Sequence, residues 1–554
     1  MAPDLFRDTF VGHILRLATG NRILRHPEEK DNSIVTRYYN YEKSSNMARF
    51  GQCEEPEDAN STKEKDTSPS PSPDGAATPT PEHGAQTPIP HHRASEGNIS
   101  EAETHVPVDR TVSNCAGTPI DAERGRDLTV IDWAGPDDPE NPRNWSTGKK
   151  IFVTFLICLL TTSVYIGSAI YTPGEQFLSQ EFKVSQEVAL LGLSLFVAGY
   201  GLGPMLWAPM SEIPQFGRTP IYILTLFVFV VFQLGVALPK NIGMFLAFRF
   251  LTGLFGSPVL ATGGATLADI YAPKKQAYAI SIWGMSAVAG PTLGPTVASF
   301  AVQAEGWRWS IWELMWLSGF SLIVLAIALP ETSSTNILFR KRNRIAKITG
   351  NKELTTEALL QGETMTGKDI AMMVLVRPIT LNFQEPMVFL LNLYIGLIYA
   401  LLYLWFESFA IVFLQVYHFR LGVFGLTFLG IMVGAFVILP CYWAYLYFIQ
   451  EKQFDENGNI QPEKRLIPAM VGCFFIPICL FWFGWSAGRT HWIVPIIGSA
   501  WFTMGAFLLF NAVLGFLGDA YPAYVASVFA GNDLIRSSFG TGKSSPRPFQ
   551  SFSL

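Results

Sequence analysis

The sequence predicts an all-α polytopic membrane protein, on the strength of three observations. Of its 554 residues, 49% are hydrophobic and 15% are charged, which is too apolar for a soluble chain of this length. The charged residues are concentrated in residues 1–150 and in two later polar stretches. The rest repeats apolar stretches of the roughly 20 residues that a helix needs to cross a bilayer. The small net charge of −5 indicates no nucleic-acid partner.

Residues 1–150 are predicted to be a cytosolic tail. A helix over residues 1–25 would carry Phe6, Phe10, Ile14 and Leu17 on one face. This pattern favours either a short amphipathic helix on the inner leaflet or a weak helix docked on the loops. Residues 44–128 are rich in Ser, Thr, Pro, Glu and Asp and cannot bury enough apolar surface to fold, so they are expected to be disordered.

Eleven spans follow the tail in two groups. A polar cytosolic loop, residues 331–385, separates a six-helix bundle at 151–330 from a second bundle of five spans at 386–540. Roughly thirteen Lys and Arg residues flank the spans on the N-terminal side against about five on the other, so the N-terminus is predicted to be cytosolic. The spans are expected at 151–171, 187–209, 219–238, 242–266, 279–302, 310–329, 387–415, 422–449, 466–487, 491–515 and 521–540.

The turn between spans two and three reads Ser211-Glu212-Ile-Pro-Gln-Phe-Gly217-Arg218. A carboxylate, a glycine turn and a cation can lock neighbouring helices at the cytosolic face and release them as the bundles move. Glu212 and Arg218 are therefore predicted to act in gating. The alternative is that Arg218 only anchors the loop through its positive charge.

Span four contains an arginine, in the sequence Arg249-Phe-Leu-Thr-Gly253. An arginine at this depth is costly unless it pairs or faces water, so Arg249 is predicted to serve proton coupling or gating. Snorkelling of its side chain from a helix end is the alternative.

Span five carries two Gly-Pro pairs, Gly290-Pro291 and Gly294-Pro295. They remove side-chain bulk and backbone donors together, which predicts a bend and a flat groove for close helix packing. Chance occurrence in an apolar helix is the alternative, and the doubled pattern argues against it.

These motifs together resemble the major facilitator superfamily, and within it the fungal drug:H+ antiporters of the twelve-span type. The resemblance covers about residues 130–540 and includes Asp138-Pro-Glu-Asn-Pro-Arg-Asn-Trp145, Tyr171-Thr-Pro-Gly174 and Trp307-Arg-Trp-Ser-Ile-Trp-Glu313. Trp283 ahead of Gly290 and the spaced turn after span two look like the benomyl, cycloheximide and fluconazole-resistance branch, and fit the polyamine-exporting branch less well.

The resemblance implies the major facilitator fold of two six-helix bundles. It also identifies Gly290, Pro291, Gly294 and Pro295 as similar to the antiporter motif of that family. The chain departs from the family pattern at Pro295, where the general motif has glycine. It departs again after span four, where Pro273-Lys-Lys-Gln-Ala-Tyr lacks the Arg-Gly of many relatives.

Carboxylates within spans are the natural proton carriers of such a transporter. Glu407, in the aromatic run Tyr403-Leu-Trp-Phe-Glu407, is predicted to be a proton or substrate-cation site, with pairing to a polar group of another helix as the alternative. Polar and aromatic side chains within the spans are candidates for lining the substrate cavity. For Gln233, Asn392 and Asn511, a hydrogen bond between two helices is the alternative. The side chains expected to line the cavity are Tyr165, Tyr171, Gln233, Asn392, Phe406 and Asn511.

The end of the chain departs from the family plan. Span eleven should continue past Gly540 and a twelfth span should follow, but residues 541–554 are polar and cannot span. The sequence therefore suggests a truncated C-terminus with its last helix missing. Because the codons for Gly542-Lys543-Ser544 can contain a splice-donor sequence, the tail is expected to be either translated intron or a real truncation, and cDNA that continues colinearly with the genome would contradict the intron.

Together with these features, the resemblance implies proton-coupled export of hydrophobic small molecules, as multidrug or toxin efflux by alternating access. We expect a plasma-membrane monomer with no catalytic activity and no metal site. The six cysteines form no CxxC pair, and the sequence contains no GxxxxGK[ST] loop for ATP, so the proton gradient takes the place of a cofactor. Uptake of organic acids or polyamines and a non-transporting membrane sensor are the alternatives.

Overall fold

The computed structural model describes residues 6–20, 22–30, 35, 120–121, 126–127, 130–351, 353–363, 372, 376–456, 460–521 and 525–542. Nine helices among them are long and apolar enough to cross a membrane. Of the stretch predicted to be disordered, the description covers only the antiparallel strands Ile120–Asp121 and Arg126–Asp127. The rest of that stretch and residues 543–554 of the polar tail lie outside the described residues.

The first six predicted spans are helices, and most extend beyond their predicted ends. Span one runs through the turn Thr172–Gly174 into the helix Glu175–Phe182. Span four is divided beside Pro258, which has no backbone N–H to donate. The helices of these spans are Thr147–Ala169, Gln186–Glu212, Thr219–Ala237, Ile242–Gly256 with Pro258–Ile270, Pro273–Glu305 and Arg308–Ala328.

Spans seven to eleven follow the central loop. Span seven ends in a π-helical turn, Ala410–Val416, and span eight is interrupted at Phe428. Short 3-10 turns, Gln450–Gln453 and Pro462–Leu466, lie between spans eight and nine. The helices of these spans are Pro386–Phe409, Leu421–Thr427 with Leu429–Phe448, Ile467–Ser486, Ile493–Ala520 and Val525–Gly542.

Two of the eleven predicted spans, Pro273–Glu305 and Val525–Gly542, are not among the nine strongly apolar helices. The first is rich in glycine, serine and threonine, and the second contains the buried polar residues Asn532, Asp533 and Arg536. Both are packed inside the helical assembly, the first against spans one and eight and the second against spans two and seven. Contact with other helices allows this polarity, so both are counted as spans here.

The outer surface of the assembly is apolar. Large hydrophobic side chains are exposed along the outer faces of the spans, such as Phe474, Phe481 and Trp485 of span nine, the last of which is 69% exposed. Exposed apolar surface of this extent is unfavourable in water and suits hydrocarbon. The chain is a multi-pass membrane protein.

Segments outside the spans pack together at one end of the assembly, called the N-terminal face below. They are the N-terminal helix Phe10–Ala18, the turns Pro27–Lys30 and Pro142–Asn144, and the loop helix Ser334–Thr349. Ion pairs join them: Lys341 Nζ lies 3.2 Å from Asp138, and Arg344 Nη2 lies 3.2 Å from Glu28. The central loop, predicted to be polar, contains helices, which also include Glu357–Glu363 and Arg377–Gln384.

Candidate functional site

A polar cavity of about 340 Å³ opens at the N-terminal face. Its outer part is lined by charged residues near the ends of the spans, including the exposed Arg143 and the pair in which Arg465 Nε donates a hydrogen bond of 2.8 Å to Asp519. Its inner part is lined by residues from the middle of three spans, namely Trp283, Asn511, Asp533 and Arg536. A polar molecule can therefore enter deep between the helices from this face.

The polar cavity ends against an apolar chamber of about 110 Å³. The two volumes share Trp283, Asn511 and Arg536 in their linings. Tyr165 and Phe406, both predicted as cavity residues, line the chamber together with Pro291 of the first Gly-Pro pair. Further walls come from Tyr399, Phe502, Phe507 and Phe510. Aromatic walls of this kind accept varied apolar ligands.

A buried ion pair marks the boundary between the two volumes. Arg536 donates to the Asp533 carboxylate one helical turn away, as their spacing on one face of the helix predicts. The guanidinium carbon of Arg536 also lies 5.0 Å from the ring centroid of Tyr399, and its Nη2 lies 3.5 Å from the Tyr165 hydroxyl. The guanidinium of Arg536 thus contacts a carboxylate, the face of an aromatic ring and a hydroxyl at the same time.

Beyond the chamber, the two halves of the protein are in contact. The Tyr200 hydroxyl of span two is hydrogen-bonded to the hydroxyls of Tyr399 and Tyr403 of span seven, the latter at 2.9 Å. Gln303 at the end of span five accepts a hydrogen bond of 2.7 Å from the backbone N–H of Gly422 at the start of span eight. The site is therefore open towards the N-terminal face and closed towards the opposite face.

The turn after span two is locked from two sides. Arg218 forms an ion pair with Asp269 of span four, and its backbone N–H donates a hydrogen bond of 3.1 Å to Glu331. Glu331 accepts two further backbone hydrogen bonds, from Thr332 and Ser333. Glu212, the carboxylate predicted for this lock, is exposed. Asp269 and Glu331 make the direct contacts with the side chain and backbone of Arg218, and Glu212 lies within electrostatic range of Arg218 and Asp269.

Arg249 is completely buried between spans one, two and four. Its Nε donates a hydrogen bond of 3.0 Å to the carbonyl of Gly192, and its Nη1 donates one of 3.1 Å to the carbonyl of Gly167. The rings of Tyr171 and Phe196 lie 5.1 and 4.7 Å from the guanidinium carbon. Nη2 has no hydrogen-bond partner among the described residues, so the charge is held without a carboxylate in direct contact.

Glu175 is a carboxylate that the sequence reasoning did not select. It follows Tyr171-Thr-Pro-Gly174 directly, is 8% exposed, and its Oε1 has no hydrogen-bond partner in the described part of the chain. It lies within electrostatic range of Arg249 in the same half of the protein and of Glu407 in span seven. The signal that could have found it is a carboxylate directly after a Pro-Gly turn at the end of an apolar stretch.

The Gly-Pro pairs bring span five against spans one and eight. A Cβ atom added at Gly290 would lie 2.5 Å from Cβ of Tyr165, and one at Gly294 would lie 3.0 Å from the backbone nitrogen of Ile170. The carbonyl of Pro295 approaches Gly425 of span eight equally closely, since a Cβ there would lie 2.9 Å away. Span five is thus packed tightly on both sides of its Gly-Pro segment.

The remaining predicted cavity residues have different surroundings. Asn511 lines both volumes, but Tyr171, Gln233 and Asn392 are in neither lining. Tyr171 packs beside Arg249 and donates a hydrogen bond to the carbonyl of Ala189. Asn392 joins three helices through hydrogen bonds of 2.7 Å with Asn382 and Asn532. Gln233 is fully buried and its amide has no hydrogen-bond partner among the described residues.

Comparison with known proteins supports this arrangement at the level of family and fold. The sequence profile described as Major Facilitator Superfamily matches residues 157–541. The chain is 45% identical to "Transporter mfs1" of Schizosaccharomyces pombe, over 77% of this chain and 82% of that protein. It is 42% identical to "Fluconazole resistance protein 1" of Saccharomyces cerevisiae, over 77% of both chains.

A solved structure shows the same fold at low sequence identity. The proton:xylose symporter XylE of E. coli, bound to 6-bromo-6-deoxy-D-glucose, superposes with a TM-score of 0.53 at 13% identity. The match covers 73% of this chain and 90% of the symporter.

Proposed function

The chain belongs to the major facilitator superfamily, and from this we propose that it exports hydrophobic small molecules, drugs or toxins, in exchange for protons. The observation that carries the proposal is the polar cavity that leads from the N-terminal face into an aromatic chamber. An amphipathic or apolar molecule would enter beside Arg143 and come to rest against Tyr165 and Phe406. Relatives at 42–45% identity include one named for fluconazole resistance, which favours export over uptake.

Export requires that the chamber open to the opposite face. The contacts that must then separate are the Tyr200 hydrogen bonds to Tyr399 and Tyr403 and the Gln303 contact with Gly422. In exchange, the bundles would approach each other at the N-terminal face, around the turn that Arg218 and Asp269 hold. Rocking of two helical bundles about a central site is the motion typical of such transporters.

Proton coupling is assigned to Arg249, Glu175 and Glu407. An ionised Glu175 is attracted to Arg249 and repelled by an ionised Glu407, so a proton on either carboxylate changes the forces between the first half of the protein and span seven. Because Nη2 of Arg249 has no hydrogen-bond partner in the described part of the chain, it can form a closer contact with Glu175 when that carboxylate is charged. No covalent step and no cofactor is needed, since the proton gradient supplies the free energy.

We place the protein in the plasma membrane as a monomer with the N-terminal face in the cytosol. Its flanking Lys and Arg residues, such as Arg218, Lys275, Lys341 and Arg465, are concentrated on that face, which is the cytosolic one by the positive-inside rule. A cavity open to the cytosol is what an exporter requires for loading.

The test is drug accumulation in a yeast strain that lacks its own efflux pumps. Cells expressing the protein should accumulate less labelled fluconazole and less labelled cycloheximide than cells that carry the empty vector. A protonophore should abolish the difference. The Arg249→Ala chain, present at the membrane in equal amount, is the matched control. Equal accumulation with and without the protein, for both drugs and for the compounds made by the source organism itself, would reject export.

A further inference from the structure

The N-terminal helix, Phe10–Ala18, turns an arginine towards the protein and its large apolar side chains away from it. Its inward face carries the buried residues Gly12 and Arg16. Its outward face carries Ile14, Leu15 and Leu17, which are 49%, 44% and 63% exposed. A surface helix in water turns its polar residues outward and its apolar ones inward. The outward face of this helix is therefore suited to a medium other than water.

The polar inward face is held firmly, so the helix cannot rotate to bury its leucines. Arg16 forms an ion pair with Glu29. Thr9 accepts a hydrogen bond of 3.1 Å from the backbone N–H of Gly12 and caps the helix. The carbonyl of Asp8 accepts a hydrogen bond of 3.0 Å from the backbone N–H of Glu331, and Thr9 pairs with Pro330.

These contacts fix the helix at the edge of the lipid-facing surface. Pro330 lies directly beyond the end of span six, and the helix packs against spans three and six. Both spans expose large apolar side chains to the outside, Leu224 in span three and Ile323 in span six. The exposed apolar surface of the helix therefore lies beside the exposed apolar surface of these two spans.

We propose that Ile14, Leu15 and Leu17 insert into the leaflet that borders the N-terminal face, so that the helix is an interfacial membrane anchor. The exposed Arg22 and Arg25, which follow the helix, are suited to the phosphate groups of anionic lipids. The occupant of the face is thus an anionic phospholipid surface. Transport is not required for this anchoring, so it holds whatever the protein exports.

The test is the depth of a probe on the full-length protein in lipid vesicles. The six native cysteines are replaced by serine, and an environment-sensitive fluorophore is attached at Leu17→Cys or, as the matched control, at Lys347→Cys on the exposed side of the loop helix. In vesicles of phosphatidylcholine with phosphatidylserine, the probe at position 17 should be quenched by brominated lipid and little by iodide in the water. The probe at position 347 should show the opposite behaviour.

Two results would overturn the anchor. Quenching of position 17 by iodide alone would mean that the face lies in water, and protection from both quenchers would mean that another protein or a second copy covers it. The protease measurement that follows is made on the chain with its native cysteines, so that it does not depend on correct folding of the cysteine-free variant. Trypsin cleavage after Arg22 and Arg25 should be slower in phosphatidylserine vesicles than in phosphatidylcholine alone, and Leu15→Glu with Leu17→Glu should remove the difference; equal rates in the two lipids would contradict the proposal.

Discussion

The guanidinium of Arg218 lies 3.0 Å from the carboxylate of Asp269, which ties the turn between spans two and three to the end of span four. The backbone beside it requires glycine, because Gly217 has φ of +73° and an added Cβ would lie 2.7 Å from both Glu331 and Asn336. Asp269 also lines the polar cavity. The ion pair is therefore part of the entrance to the cavity and of the lock between helices.

A double-mutant cycle on Arg218 and Asp269 tests this lock. We expect Asp269→Asn alone to lower both thermal stability and transport, because it leaves the buried Arg218 without its ion-pair partner. Adding Arg218→Gln should restore part of the stability, with a coupling energy on the order of 0.5–3 kcal/mol. Thermal unfolding of the three variants in detergent measures it, and strictly additive losses would show that the pair is not coupled.

Arg249 is expected to be irreplaceable even by lysine. A lysine ammonium cannot donate to the carbonyls of Gly192 and Gly167 and also stack between two aromatic rings, as the planar guanidinium does. Arg249→Lys should lower the efflux rate by a factor of ten or more, which is about 1.4 kcal/mol in the barrier. Arg308→Ala is the control and should keep most of the activity, since the ion pair of Arg308 with Glu181 and its contact with the Trp307 ring lie at the exposed end of span six.

Substitution of Glu175 or Glu407 is expected to abolish proton coupling and to leave substrate binding intact. Glu175→Gln keeps the size of the side chain but cannot carry a transferable proton, so efflux driven by a pH gradient should be lost. Exchange of labelled for unlabelled substrate across vesicles, which needs no net proton movement, should persist. The same pattern is expected for Glu407→Gln, whereas Glu305→Gln, at an exposed position, should change neither rate. Gradient-driven efflux that survives in Glu175→Gln would exclude this carboxylate from coupling.

The sequence predicts features that depend on one helix better than those that depend on two. The ion pair of Asp533 and Arg536 joins two residues three apart on one helical face, and the Gly-Pro pattern predicted close packing of span five. Both follow from local geometry, which the order of residues specifies. The eleven apolar stretches likewise became helices, although two of them are too polar to stand out by hydropathy alone.

Contacts between spans were harder to predict. The turn after span two contains Glu212, which made it the natural partner for Arg218, but Asp269 approaches from a helix about fifty residues further along the chain. Asn392 was expected in the cavity, yet Asn382 and Asn532 bind it between helices. A period of 3.6 residues indicates which face a side chain occupies and not which other helix meets that face.

The glycine at position 290 is predicted to be essential for packing. An added Cβ would lie 2.5 Å from Cβ of Tyr165, so Gly290→Val must push spans one and five apart and deform the chamber that Tyr165 lines. We expect loss of efflux and a lower unfolding temperature, because overpacking in a well-packed core costs about 1–3 kcal/mol. Gly319→Val in span six is the control, since no described residue has an atom within 4 Å of its added Cβ. Equal stability of the two variants would contradict the close packing.

Docking of the N-terminal helix is predicted to weaken in acid, because His13 is held in its neutral form. Burial, followed by the positive charges of Arg340, Arg16 and Arg344, lowers the pKa of His13 from 6.5 to about 4. When the helix is released, His13 regains its ordinary pKa and binds a proton between pH 6.5 and 4, so acid favours the released form and docking is most stable above pH 6.5.

Fluorescence transfer between probes at Leu17→Cys and Lys347→Cys should therefore fall between pH 7.5 and 5.0. His26 lies 3.6 Å from Glu140 on the same face, so His26→Gln is included in every chain to leave His13 as the histidine under test. His13→Gln should abolish the pH dependence, and transfer that stays constant in the chain that retains His13 would show that His13 does not control docking.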